Sequence, residues 1–331
     1  MENRQYLLAK RPVGQPQRSD FEYRTGPAPD PGPDEVLVRN RYISLDPAMR
    51  GWMNDARSYI RPVQIGEVMR AGTAGEVIAS NSPLFAPGDF VYGSGGVQDY
   101  YTAQARHLQR IDPQLAPLPV YLGTLGMPGM TAYFGLTEVG QAKAGETVVI
   151  SAASGAVGSV AGQIAKQLGC RTIGITGGEA KCRYITETLG FDAAVDYQAG
   201  SLRDQLKAAC PDGIDVYFDN TGGEILDTVL TRLRMKARIA VCGAITQYNS
   251  TEKTAGPSNY LSLLVNRARM EGFVVFDYAP RYPEALARMI PWYQEGKLLS
   301  REEIVPGLET FPETLLRLFT GDKTGKLVLA V

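Results

Sequence analysis

Thr147-Val-Val-Ile-Ser151 runs into Ala152-Ala-Ser-Gly155-Ala-Val-Gly158 and then into Ser159-Val-Ala-Gly-Gln-Ile-Ala-Lys166. A β-branched run, a glycine turn and a helical run stand here in the order of a βα unit. The pattern repeats outward. Strand-like runs fall at 146–152, 171–177, 193–197, 213–220, 237–244 and 270–276. Helical stretches lie near 158–169, 179–190, 201–210, 225–233 and 257–266, with another near 283–297. Six strands alternating with helices predict an α/β fold built on a doubly wound parallel sheet, because parallel strands need long crossovers. The first 130 residues read differently. Short runs such as Glu35-Val-Leu-Val-Arg39, Gly75-Glu-Val-Ile-Ala79 and Asp89-Phe-Val-Tyr92 are separated by turn signals such as Ala86-Pro-Gly-Asp89. They predict a mostly antiparallel β domain. The tail, with Glu302-Glu-Ile-Val-Pro306, a helix near 312–320 and Lys326-Leu-Val-Leu-Ala-Val331, reads like that first domain. The expected division is therefore 1–124 with 298–331 as the β domain, and 125–297 as the nucleotide-binding domain.

Composition narrows the function. The 331 residues hold 34 Lys and Arg against 35 Asp and Glu, for a net charge of −1. A nucleic-acid protein needs a basic face to displace counterions, and an anionic membrane surface demands the same; neither partner is expected. No apolar run approaches the ~18 residues of a membrane span. The amino-terminal stretch shows no secretory h-region, so the expected location is the cytoplasm. The four cysteines, Cys170, Cys182, Cys210 and Cys242, form no Cys-x-x-Cys pair, and the single histidine, His107, lies in a polar stretch. That supply builds neither a structural zinc site nor a Ser-His-Asp hydrolase, and no Gly-x-Ser-x-Gly elbow is present. The chemistry must come from a cofactor, from tyrosines or from carboxylates.

The glycine turn supplies the cofactor. Ala153-x-Gly155-x-x-Gly158 is a dinucleotide fingerprint with alanine at its first position. Gly155 lets backbone approach a pyrophosphate, Gly158 allows close helix packing, and the helix amino end offers N–H donors. An NAD site usually ends the next strand on Asp or Glu to hold the ribose hydroxyls. Here that strand ends Ile175-Thr-Gly177-Gly178, Lys181 follows, and Tyr197 closes the strand after it. A lysine, a phenol and room left by glycine suit a 2′-phosphate, so the expected cofactor is NADPH.

With these residues assembled, the chain resembles the zinc-free medium-chain dehydrogenase/reductases, in the group of prostaglandin and leukotriene reductases, plant alkenal double-bond reductases and bacterial NADPH-dependent curcumin reductases. The motifs run the length of the chain: Ser44-Leu-Asp-Pro-Ala-Met-Arg-Gly51, Met127-Pro-Gly-Met-Thr-Ala-Tyr133, Phe218-Asp-Asn-Thr-Gly-Gly223, Cys242-Gly-Ala-Ile-Thr-Gln-Tyr-Asn249, Gly272-Phe-Val-Val275 and Gly321-Asp-Lys-Thr-Gly-Lys326. Arg57-Ser-Tyr59 with Val63-Gln-Ile-Gly-Glu-Val-Met69 looks most like the curcumin-reductase branch. The resemblance implies a GroES-like β domain holding both chain ends, plus a Rossmann domain. Zinc-dependent cousins carry a His-Glu pair where this chain has Ala71 and Gly72; no metal is expected.

The resemblance also assigns residues. Gly155, Ala156, Val157 and Gly158 would bind the pyrophosphate; Gly177, Lys181 and Tyr197 would hold the 2′-phosphate. Asn220, the loop Cys242, Gly243, Ala244, Ile245, Thr246, Gln247 and Tyr248, and the segment Phe273, Val274 and Val275 would line the nicotinamide and its ribose. Met127 and Thr131 would lie near the nicotinamide amide. Lys323 stands where relatives place an asparagine that touches the cofactor. Gly93-Ser-Gly-Gly96 replaces the bulky aromatics some relatives have, which implies a more open substrate wall. The implied reaction is hydride addition to the β-carbon of an enone or enal, with enolate charge developing on the carbonyl oxygen. Tyr248 would orient the ribose hydroxyl toward that charge. The α-carbon proton would come from Tyr59, Tyr248 or water. A homodimer is implied as well. Two other readings share the cofactor site: an NADPH-dependent quinone reductase, and an NADPH-binding protein without catalysis.

Overall fold

The computed structural model describes residues 1–331. The chain divides into two compact units, Gly123–Arg301 and Met1–Leu122 with Glu302–Val331.

The first of these is built on six strands: β1 (Thr147–Ser151), β2 (Arg171–Thr176), β3 (Ala193–Asp196), β4 (Ile214–Asp219), β5 (Leu233–Val241) and β6 (Arg269–Gly272). They lie in the order β3-β2-β1-β4-β5-β6, every neighbour parallel. Helices cover the faces, so the central strands are apolar without alternation. Val148, Val149 and Ile150 of β1 are all fully buried. The strand order reverses between β1 and β4, and ligands of such sheets lie beyond the carboxyl ends at that switch point.

Three departures from the expected elements matter there. β5 begins at Leu233 rather than 237, through an irregularity at which Lys236 takes a φ of 65° and the register shifts between Ile214 and Val216. It also stops at Val241, which frees the following residues to form a loop and one 3-10 turn, Ile245–Gln247. β6 stops at Gly272, because Val275–Arg281 coils into a 3-10 segment. The helical stretch expected over 179–190 is a short α-helix, Glu179–Arg183, that widens into a π turn over Tyr184–Thr188.

The second unit carries a seven-stranded sheet. Along it run Glu302–Pro306, Lys326–Ala330, Glu35–Ser44, Thr73–Ser80, Phe90–Gly93 and Gln109–Arg110, with Tyr100–Gln104 also paired to Glu35–Ser44. Only the pair from the carboxyl-terminal region is parallel. A hairpin of Glu2–Leu8 and Phe21–Pro27 stands beside it as a separate two-stranded sheet. Tyr6, Ile43, Met49, Phe311, Leu315 and Leu329 form its core, so both chain ends are needed to close it.

A buried ion pair joins those ends. Lys326 Nζ, with the residue 2% exposed, donates to Asp46 Oδ1 at 2.6 Å and to the Leu45 carbonyl at 2.8 Å. Ser44 Oγ donates to the other Asp46 oxygen. Burial pulls the ammonium below its usual range and the Asp46 carboxylate pulls it back. Removing one partner strands the other in a dry core. Lys326→Met should therefore cost about 3–5 kcal/mol, read from the denaturant midpoint. Adding Asp46→Asn should recover most of the loss. An unchanged midpoint in the single variant would show that the pair contributes nothing.

Candidate functional site

The glycine turn lies at the carboxyl end of β1. Ala152 adopts a φ of 48°, an uncommon conformation for a residue with a side chain, and turns the strand into the helix Ala156–Gln167. Gly155 is the N-cap and has no side chain to occupy the helix end. The first N–H groups of a helix have no intrahelical acceptor, so an anion suits this end. Gly158 is required by packing: a Cβ there would stand 2.3 Å from the Ala152 carbonyl oxygen. Ala153 fits the first fingerprint position because its Cβ faces Gly174, where a second Cβ would come within 2.7 Å.

The second turn follows β2. Gly178 has a φ of 87°, and its N–H donates to Asp196 Oδ1 at 2.9 Å. The same oxygen accepts Gln198 N–H at 2.9 Å, so Asp196 ties the end of β2 to the end of β3. Tyr197 is thereby brought over Gly177, where a Cβ would lie 2.8 Å from its hydroxyl. Lys181 is half-buried on the short helix that starts at Glu179. A cavity of about 250 Å³ opens beside Tyr197, lined also by Ser201, Arg203, Glu224, Ile225 and Thr228. Arg203 and Glu224 carry no sequence motif, which is why the pattern did not reveal them.

The third element bridges the switch point. Asn220 Nδ2 donates to the Ser151 carbonyl at 2.7 Å and Asn220 N–H to Ser151 Oγ at 2.9 Å. The loop after β5 hangs from this turn. Cys242 and Gly243 N–H donate to the Asp219 carbonyl at 2.8 and 3.1 Å, and Ile245 N–H to that of Asn220 at 3.3 Å. Thr246 Oγ1 donates to the Thr221 carbonyl at 2.6 Å. Gln247 Nε2 lies 3.3 Å from where a Cβ on Gly222 would stand. Tyr248 curls back over the loop: its hydroxyl accepts Ala244 N–H at 3.3 Å and would lie 2.7 Å from a Cβ on Gly243. Glycine at 243 is what lets that phenol in. Asn249 Oδ1 is buried without a donor, an opening that a ligand hydroxyl or amide would satisfy. This loop, the helix end and the Gly177 turn under Tyr197 form a set suited to a dinucleotide phosphate.

The remaining expected residues are placed as follows. Met127 begins the helix Met127–Phe134, and its carbonyl accepts Thr131 Oγ1 at 2.8 Å, so that hydroxyl already has a partner in its own helix. The Phe273 ring packs edge-on to Phe218 at 6.2 Å, over Gly135. Val274 caps the 3-10 segment, and the buried Val275 accepts the Tyr282 hydroxyl at 3.1 Å. Tyr59 and Lys323 belong to the other unit. There Trp52 Nε1–H donates to the Tyr59 hydroxyl at 3.3 Å, and Arg70 lies 5.6 Å over the Trp52 ring. Lys323 is half-buried in the turn after the helix Phe311–Thr320, where Arg317 donates to the Asp322 carbonyl at 3.0 Å.

Comparison with known proteins follows these lines. Residues 4–111 match the family described as the N-terminal domain of oxidoreductase, and residues 156–292 that described as zinc-binding dehydrogenase. The donor set does not fit the metal in that description: no group of three or more His, Cys, Asp or Glu is placed to hold an ion. The NADPH-dependent curcumin reductase of Escherichia coli is 44% identical over 99% of this chain and 97% of its own. The 2-alkenal reductase (NADP(+)-dependent) of Nicotiana tabacum is 42% identical over 99% and 97%. The crystal structure of CurA in complex with NADPH from Vibrio vulnificus superposes with a TM-score of 0.94 at 45% identity, covering 99% of each chain. On this full-length likeness, with the Rossmann order and the glycine turn in place, the chain belongs to the medium-chain dehydrogenase/reductase family, in the group of these NADPH-dependent double-bond reductases.

Proposed function

We propose that this protein reduces the C=C bond of α,β-unsaturated ketones and aldehydes with NADPH. Its likeness over full length to reductases of curcumin and of 2-alkenals carries the reading, since both substrates hold an alkene conjugated to a carbonyl. When bound, NADPH supplies a hydride for the β-carbon. The protein's own groups must bind the cofactor, discriminate its 2′-phosphate and manage the enolate charge and its proton.

Gly155 to Gly158 present the helix end to the pyrophosphate. Lys181 and Tyr197, whose ring lies over Gly177, take the 2′-phosphate. Met127, Thr131, Asn220, residues 242–248 and residues 273–275 line the nicotinamide end, and Lys323 contributes through its main chain. The Tyr248 hydroxyl already accepts the Ala244 N–H, so its own proton is directed onward. It orients a ribose hydroxyl toward the substrate oxygen on which charge develops. Tyr59, whose oxygen accepts the Trp52 N–H, shapes the substrate wall. The boundaries read from the sequence, 1–124 with 298–331 and 125–297, we take to delimit the same two compact units, from whose limits they differ by at most four residues. All four cysteines are free thiols, the state a reducing cytoplasm maintains, and no helix is long and apolar enough to cross a membrane.

The assembly we assign is a homodimer through β6. That strand is the sheet edge and is exposed along its length. Met270 on it is exposed, as are Leu261, Leu264 and Val265 of the preceding helix. Arg269 and Glu271 share one side of the strand. An antiparallel two-fold about Met270 sets arginine against glutamate twice and completes the unpaired edge. Sedimentation should give twice the chain mass, and Met270→Asp should halve it. A wild-type monomer at micromolar concentration would remove this assignment.

The cofactor reading is tested at Lys181. Its charge-assisted contact to a 2′-phosphate is worth about 1–3 kcal/mol. Lys181→Ala should weaken NADPH by roughly 5- to 150-fold and leave NADH nearly unchanged. Equal losses for both cofactors would indicate general damage.

The chemistry is tested at Tyr248. Tyr248→Phe keeps the ring and removes the hydroxyl. The expected fall in kcat is about 10- to 100-fold with NADPH binding nearly intact, the scale of one lost donor to developing charge. Tyr59→Phe should raise KM for the enone more than it lowers kcat. If Tyr59→Phe alone abolishes turnover, the two roles are exchanged; if neither variant is slowed, water delivers the proton. Assays with enals, enones and quinones side by side separate alkene reduction from quinone reduction.

A further inference from the structure

Beneath the loop that carries Tyr248 lies a charge that the function above does not use. Asp219, the last residue of β4, is 1% exposed. One of its oxygens, Oδ1, accepts Tyr217 Oη, Thr221 N–H and Gly222 N–H, each at 2.9 Å, and Ser151 Oγ and Thr221 Oγ1, each at 3.3 Å. All five donors are neutral. None of the ion pairs in the protein includes Asp219; the least exposed pairs, Lys326 with Asp46 and Arg238 with Glu146, involve other carboxylates. A buried carboxylate held by neutral donors alone costs more desolvation than a neutral acceptor would. Holding a turn does not call for that cost.

The charge stands at the carboxyl end of β4, on the switch point. Its own main chain carries the loop: the Asp219 carbonyl accepts the N–H groups of Cys242 and Gly243. The thiol at the head of that loop registers the charge. Desolvation first, and then the Asp219 carboxylate, push Cys242 up to about 12. The Tyr217 phenol is raised well above its usual range by burial and by the same carboxylate. In this dry surrounding a fixed anion acts over longer distances than in water.

Hydride donation changes the charge of the nicotinamide ring, which is neutral when reduced and cationic when oxidised. We propose that Asp219 is an electrostatic positioning residue: it fixes the loop 242–248 and favours the cationic, oxidised ring over the neutral one, making the bound reduced cofactor a stronger hydride donor. The hydride takes both electrons to the substrate carbon, and the anion stabilises the positive charge left behind. Such a fixed charge, in place before the reaction, needs no reorganisation during it. The inference rests on the proposed placement of the nicotinamide at Asn220 and residues 242–248.

The test compares affinities for the two forms of the cofactor. A structural role alters both alike; a charge alters their ratio. Titrating the protein with NADP+ and with NADPH, Asp219→Asn should weaken NADP+ by about 10-fold and NADPH by less than about 3-fold. Single-turnover hydride transfer should slow in step with the ratio. An unchanged ratio, with both affinities lost or both retained, overturns the inference. Tyr217→Phe serves where Asp219→Asn does not fold. It keeps the charge and removes one donor, so the ratio must stay at the wild-type value or move toward NADP+; movement toward NADPH overturns the inference. The underlying cofactor reading fails separately, if wild-type protein binds neither form or if Lys181→Ala does not discriminate NADPH from NADH.

Discussion

Five donors converge on one carboxylate oxygen at the end of β4, and the carboxyl edge of the parallel sheet is organised around it. A parallel sheet leaves every strand end to be continued by a loop, and loops cannot fix their own geometry without buried partners. Here the partner is Asp219. Its side chain holds the turn Thr221–Gly222, its carbonyl holds Cys242 and Gly243, and its neighbour Asn220 reaches back to Ser151 on β1. Three strand ends, those of β1, β4 and β5, are thereby locked into one frame. At the end of β5, past Val241, the N–H groups of Cys242 and Gly243 both donate to the carbonyl of Asp219 on the neighbouring strand β4, so the ladder closes on this one residue.

Much of the fold could be read locally. The switch from apolar alternation to six βα repeats marks where one architecture gives way to the other; right-handed crossovers narrow the topologies, and the order β3-β2-β1-β4-β5-β6 is set by packing that the pattern does not carry. Gly155 and Gly158 were legible because a turn, a helix end and a close approach all fall within seven residues. Lys181 and Tyr197 were read only as residue types; the place of Tyr197 over Gly177 depends on Asp196, which clamps β2 to β3 and which nothing in the pattern marked. Asp219 reads in sequence as an ordinary turn aspartate. Its role comes from Tyr217 and Ser151, the latter 68 residues away on another strand, and no spacing rule reports that. The bulge at Lys236 was equally silent, since a lysine at positive φ is selected by register and not by propensity.

The unit that holds both chain ends uses a different device for a similar end. Lys326 and Asp46 meet from 280 residues apart, and the Leu45 carbonyl takes a second proton of the ammonium. This places the final strand beside Glu35–Ser44 in one register, Val328 opposite Ser44 and Ala330 opposite Tyr42. A one-residue slip would reverse which side chains of that strand are buried. It would also carry the ammonium away from its only carboxylate. Apolar packing of Leu327 and Leu329 gives the strand its affinity for the core; the ion pair gives it an address.

The two buried carboxylates thus differ in what balances them. Asp46 is neutralised by an ammonium, so its net field at a distance is small, and it serves register. Asp219 is solvated by dipoles and keeps its net charge. Dipoles satisfy hydrogen-bonding capacity without cancelling the monopole, so beyond a few ångströms the second arrangement still projects a field and the first does not. Where folding alone is at stake, the paired arrangement suffices, as Asp46 shows. An unpaired anion at the strand ends where a redox cofactor is expected makes physical sense when the chemistry there creates positive charge, and hydride donation from a neutral ring does so.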